Sequence, residues 1–93
     1  MKEKAELVFI NYLGKEKTKD IFERCQFEFN GNFYLDGFKV MKELDETDIL
    51  TTLNKISNGD FDNFMFLQEV VRNPKVVGFN TTVIGYDGSV TFT

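Results

Sequence analysis

The chain has no histidine and no tryptophan, one cysteine, one proline, and no apolar run long enough to cross a bilayer. Each absence removes a class of chemistry. Without histidine there is no Ser-His-Asp or Cys-His nucleophile arrangement, no imidazole zinc ligand, and no use of the commonest general base. Cys25, standing alone, forms no intrachain disulfide and cannot supply the thiolate set of a structural zinc site. With no imidazole to take its proton, it reads as a small buried hydrophobe. A membrane helix needs roughly 18 to 20 apolar residues. The N-terminal "MKEKAELVFINYLGKEK" is instead broken by Glu6, Asn11 and Gly14, with no small-residue cleavage site after it. A cytoplasmic protein without membrane association is expected. Phosphate loops are missing as well: neither GxxxxGK[ST] nor GxGxxG occurs, and Gly85 and Gly88 in "IGYDGS" read as turn glycines before a strand pattern.

What is present is a hydrophobic fraction of 42% against 28% charged, which places the chain among globular rather than disordered proteins. Ninety-three residues leave room for one domain, residues 1–93, and no second. The net charge of −4 is unevenly spread: residues 1–42 sum to +1 and residues 43–93 to −5. Lys15, Lys17 and Lys19 alternate with Glu16 and Asp20 and read as a solvated helix turn, not the basic patch of a nucleic-acid binder. The Phe residues, 11 in all, sit at core spacing with no basic groove around them, so a base-stacking platform is not expected either.

Along the chain, Ala5, Val8, Phe9, Tyr12 and Leu13 follow helical spacing, and Gly14 is placed to end that helix; a strand through "AELVFI" is the rival reading. A second helix through "EKTKDIFERCQ" turns Ile21, Phe22 and Cys25 inward. In "QFEFNGNFYL", Asn30-Gly31 is the pair a type I′ turn demands, and the flanking alternation predicts a hairpin with Phe27, Phe29, Phe33 and Leu35 on its buried face. Asp36-Gly37 predicts a further turn, with "FKV" extended after it. The run "ELDETDILTTLNKISNG" returns to helical period through Ile49, Leu50, Leu53 and Ile56, capped by Asp45 or Thr47 and ended by Asn58-Gly59. "DNFMFLQEVVRNP" predicts a short helix ending before Pro74, and Asp87-Gly88 a second hairpin. The expected fold is α+β, in the order ααββααββ, with an antiparallel sheet built from two β-hairpins packed against helices.

In the segment "SNGDFDNFMFLQE", Asn58, Asp60, Asp62 and Glu69 stand near calcium-loop spacing. The match is incomplete. Position 1 has Asn58, the turn position has Asn63 in place of glycine, and Phe64, Phe66 and Leu67 would fall inside an ion-binding loop. The residues suit a helix better, with Gly59 closing the previous one and Asp60 or Asp62 capping the next. No metal and no cofactor are expected. Paired carboxylates suitable for acid–base chemistry arise by chance among 15 acids, and a domain this small has little depth for a substrate cleft. No catalytic residues are assigned.

The expectation that survives these exclusions is a non-enzymatic, acidic, protein-binding domain. Its partner-binding surface is expected at Glu43, Asp45, Glu46, Asp48, Asp60 and Asp62, and its partner is expected to present a basic protein surface. An inhibitor of a host nucleic-acid-processing protein, of the kind phages and mobile elements encode against host defence, fits that description. So does an immunity protein neutralising a basic toxin, or a self-assembling subunit that pairs through the strand "SVTFT".

Overall fold

The computed structural model describes residues 2–74, together with the backbone of residues 82–84 and 90–92. Two helices open the chain, α1 at Lys2–Leu13 and α2 at Lys15–Cys25. They are separated by Gly14, whose φ of 84° and ψ of 168° belong to a region essentially restricted to glycine. The break is what lets both stripes face one core. Carried through as one helix, at about 100° per residue, the two apolar stripes would point to nearly opposite sides. With the break, Ala5, Val8 and Phe9 from α1 and Ile21, Phe22 and Cys25 from α2 are all buried together. The helical reading of residues 3–13 holds, and Leu7, which a strand would align with Phe9, is 64% exposed.

The hairpin β1 (Gln26–Phe29) and β2 (Asn32–Asp36) forms around Asn30 and Gly31, at φ 52° and 77°. Its register pairs Phe29 with Asn32, Phe27 with Tyr34, and Gln26 with Leu35. Cross-strand partners share a face, so the expected grouping of Phe27, Phe29, Phe33 and Leu35 on one side is corrected. Phe33 and Leu35 face the helices; Phe27 and Phe29 lie on the other side with Tyr34. The ring contacts agree. Phe33 stacks on Phe22 with centroids 5.8 Å apart, Phe22 meets Phe9 edge-on at 5.2 Å, and Phe27 stacks separately on Tyr34 at 5.4 Å.

Three further helices follow: α3 at Gly37–Glu43, α4 at Ile49–Ile56 and α5 at Phe61–Val70. The expected turn and extended "FKV" are therefore replaced by α3. The Asp36 carboxylate accepts from the Phe38 and Lys39 amides at 3.0 and 3.2 Å, so the pair read as a turn acts as a helix N-cap followed by its first residue. Helix α4 starts later than expected. Its cap is Asp48, not Asp45 or Thr47, and the carboxylate accepts the Thr51 amide at 3.1 Å and the Thr51 hydroxyl as well. Asn58 and Gly59, at φ 58° and 81°, end α4 as expected. Asp60 then caps α5 by accepting the Asn63 amide at 2.9 Å.

Helix α5 ends at Val70, and the chain passes into β3 (Val71–Arg72), which pairs parallel to β2 through Leu35–Val71 and Asp36–Arg72. The sheet order is β1-β2-β3, so the sheet is mixed and not the antiparallel product of two hairpins. Strands β4 (Thr82–Ile84) and β5 (Val90–Phe92) pair antiparallel in a separate sheet, and the expected Asp87-Gly88 turn between them lies outside the described residues. The class is α+β with the order ααββαααβββ. Leu35 and Val71 in the sheet, Phe9 and Ile21 in α1 and α2, and Leu53, Ile56, Leu67 and Val70 in α4 and α5 are all essentially inaccessible to solvent, forming one core. None of the described helices is long and apolar enough to cross a membrane.

Candidate functional site

The acids singled out from the sequence are divided between two grooves, each lined by residues of α1 and α4, and positions outside both. Glu43 is the last residue of α3, Asp45 sits at φ 54° in the turn that follows, and Glu46 comes next. These three line a groove of about 410 Å³ with Tyr12 and Lys17 from the first two helices and Lys55 from α4. Asp60 lines a second groove of about 440 Å³ at the other end of α4, beside Asn11, Asn58 and Asn63. Asp48 and Asp62 line neither groove.

The charges in the first groove are partly satisfied within the protein. Glu43 accepts from the Arg24 guanidinium at 3.2 and 3.3 Å, and Glu46 from the Lys55 ammonium at 3.0 Å. Hydrogen bonding to Glu46, and its charge, hold the Lys55 pKa above the ordinary lysine value, and Glu43 does the same for Arg24. Both cations are exposed, so these pairs are screened by solvent and salt. At the helix starts, Asp48 and Asp60 sit where backbone N–H groups and the helix dipole favour a carboxylate. The hydrogen bonds from the Thr51 hydroxyl and amide hold the Asp48 carboxyl below its usual pKa. That leaves Asp45 and Asp62, both exposed, with no ion pair or capped amide among the described residues.

Three contributors to the first groove were not evident from the chain. Tyr12 shares the inward stripe by helical spacing but is 44% exposed and lines the groove, while Lys17 and Lys55 bring positive charge into a site whose expected residues are all acidic. The calcium-like segment is accounted for by its own backbone. Residues Phe61–Val70 are helical and the Asp60 carboxylate is engaged with the Asn63 amide, so the spacing does not wrap a loop around an ion. Cys25 is 1% exposed, and burial pushes its thiol pKa up to about 11, away from thiolate chemistry at neutral pH.

Fold and site together describe a small α+β domain with a polar, mixed-charge groove beside an acidic turn. Compared with known protein families, curated proteins and solved structures, the chain matches none.

Proposed function

We propose that the protein is a non-enzymatic binding domain that docks the surface around the α3–α4 turn and the start of α5 onto a basic surface of another protein. The observation that carries this reading is the placement of Asp45 and Asp62. Both are exposed carboxylates that form no ion pair among the described residues, on the half of the chain that sums to −5. Uncompensated surface charge of one sign steers association with the opposite sign and sets its salt dependence. The absence of histidine and the burial of Cys25 support a role without nucleophilic or imidazole acid–base catalysis.

The specific form we favour is an inhibitor of a nucleic-acid-processing protein, of the phage or mobile-element anti-defence type, in which the partner's basic surface is its nucleic-acid channel. An immunity protein covering a basic toxin has the same electrostatic demand and is told apart by the partner recovered. The test is capture of partners by the tagged protein from lysate of its source organism, after nuclease treatment and at two salt concentrations. A nucleic-acid-processing protein retained after nuclease, released as ionic strength shortens the Debye length from about 10 Å at 0.1 M, is the expected result. A partner whose retention is indifferent to salt, or one held only through nucleic acid, refutes the reading.

A further inference from the structure

The three-stranded sheet has an aromatic face turned away from the core. Phe33 and Leu35 face the helices, whereas Phe27, Phe29 and Tyr34 lie on the opposite side, with the Phe27 and Tyr34 rings stacked at 5.4 Å. Phe27 and Phe29 are half-buried, yet among the described residues neither belongs to the core nor packs against it. A sheet that is apolar on both faces ordinarily has a layer on each. Helices supply the first layer here, and the aromatic face calls for a second.

The path of the chain and the register of its last two strands point to the occupant. Strand β3 runs parallel to β2, so the backbone leaves the sheet at its Asp36–Arg72 end, two residues along from Tyr34. Seven residues, 75–81, separate Pro74 from β4. That length reaches at most about 25 Å, against roughly 10 Å between sheets packed face to face, so the ribbon of β4 and β5 is within range of the aromatic face. A two-stranded ribbon is marginally stable alone in water and gains stability by packing an apolar side. The register supplies such a side: Thr82 pairs with Phe92 and Ile84 with Val90, and cross-strand partners share a face, while Val83 pairs with Thr91 on the other. A tether this short sets an effective concentration of order 1 mM, which favours the chain's own ribbon over a second copy in dilute solution.

We propose that the β4–β5 ribbon docks its Ile84, Val90 and Phe92 face on Phe27, Phe29 and Tyr34 of the same chain, as a layer opposite the helices. Nuclear Overhauser contacts in the full chain test it. Contacts from the Ile84 and Val90 methyl groups to the Phe27 and Tyr34 rings are expected, and in a mixture of labelled and unlabelled protein they arise within one chain. Ile84→Lys/Val90→Lys abolishes them and speeds amide exchange in β4 and β5 by at least about tenfold, whereas the matched pair Val83→Lys/Thr91→Lys keeps them and changes exchange by less than about twofold. Phe27→Ser reaches the same end from the other side: β4 and β5 lose protection while α1 and α4 stay protected. Ring contacts that arise only between chains, contacts to the free edge of β1 in place of the rings, parent β4 and β5 amides that exchange as fast as those of an unstructured peptide, or equal effects of the two lysine pairs overturn the proposal.

Discussion

Replacing Phe9 by alanine tests the packing on which both sides of the molecule depend, since α1 contributes residues to every groove described above. Phe9 is fully buried and meets the Phe22 ring edge-on at 5.2 Å, while Phe22 stacks on Phe33, so one aromatic chain ties α1 to α2 and β2. Phe→Ala at such a site costs about 3 to 5 kcal/mol in lost transfer energy and residual cavity. Of that, about 0.5 to 1.5 kcal/mol belongs to the ring pair. A domain of 93 residues has a total stability of about 5 to 14 kcal/mol, so this one change removes a large fraction of it. At an unfolding entropy of about 0.2 kcal/mol/K for this length, Tm falls by roughly 15 to 25 °C. Leu7→Ala, two residues away and 64% exposed, should stay within about 0.5 kcal/mol. Urea denaturation of both variants gives the comparison, and a Phe9–Phe22 double-mutant cycle isolates the ring term. Equal losses at Leu7 and Phe9 would refute the helical account, because a strand through "AELVFI" puts those two side chains on one face.

Gly14→Ala should cost about 1 to 3 kcal/mol, because φ of 84° with ψ of 168° disfavours any Cβ even though none of the surrounding atoms comes within 4 Å of one; a gain in thermal stability would show that the α1–α2 break is not needed. Cys25 gives a pH dependence of definite sign. Its folded thiol pKa, about 11, lies above the unfolded value, so its contribution is complete below the unfolded pKa and is lost as pH rises through about 11; the difference in urea midpoint between the parent and Cys25→Ala should shift in that window and be flat between pH 6 and 8. Asp48 works in the opposite sense. Its lowered carboxyl pKa means that its stabilisation is present above the unfolded carboxylate value and is lost as pH falls through the folded one, so Asp48→Ala should destabilise the protein at pH 7 and make stability less acid-sensitive, as read by denaturation at pH 7 and pH 3.

Where the chain carried strong local chemistry, the fold was legible. Asn30-Gly31 and Asn58-Gly59 take the positive φ angles that their residue types accommodate, and Asp60 is an N-cap because its side chain reaches an otherwise unpaired amide. The hairpin face is decided by parity across the turn, not by alternation within each strand. A two-residue turn pairs Phe29 with Asn32, which forces Phe33 to the side opposite Phe29 whatever the alternation suggests. Helix α3 was hidden because Asp-Gly is equally a turn signal and a cap followed by a first helical residue, and seven residues carry too little period to decide. Strand β3 is two residues long and is created by its pairing with β2, a tertiary effect that local sequence does not encode.

The acidic surface was legible as composition but not as available charge. Ion pairing of Glu43 and Glu46, and amide capping by Asp48 and Asp60, give four of the six acids a hydrogen-bonding role that ordinary folding explains, while Asp62 lies in the first turn of α5, where only the helix dipole favours it. If partner binding uses this surface, its salt dependence must come chiefly from the two carboxylates without such a role. Asp45→Asn/Asp62→Asn should therefore weaken capture and flatten its salt response together, with stability lowered by no more than about 1 kcal/mol, since both side chains are exposed and only Asp62 stands in the first turn of a helix. Glu46→Gln with Lys55→Gln removes one charge of each sign from the groove wall and should leave capture close to that of the parent. The reverse ranking, with the ion-paired residues decisive and Asp45 and Asp62 silent, would mean that the partner recognises the shape of the groove and not the charge beside it, and the basic-surface reading would fail.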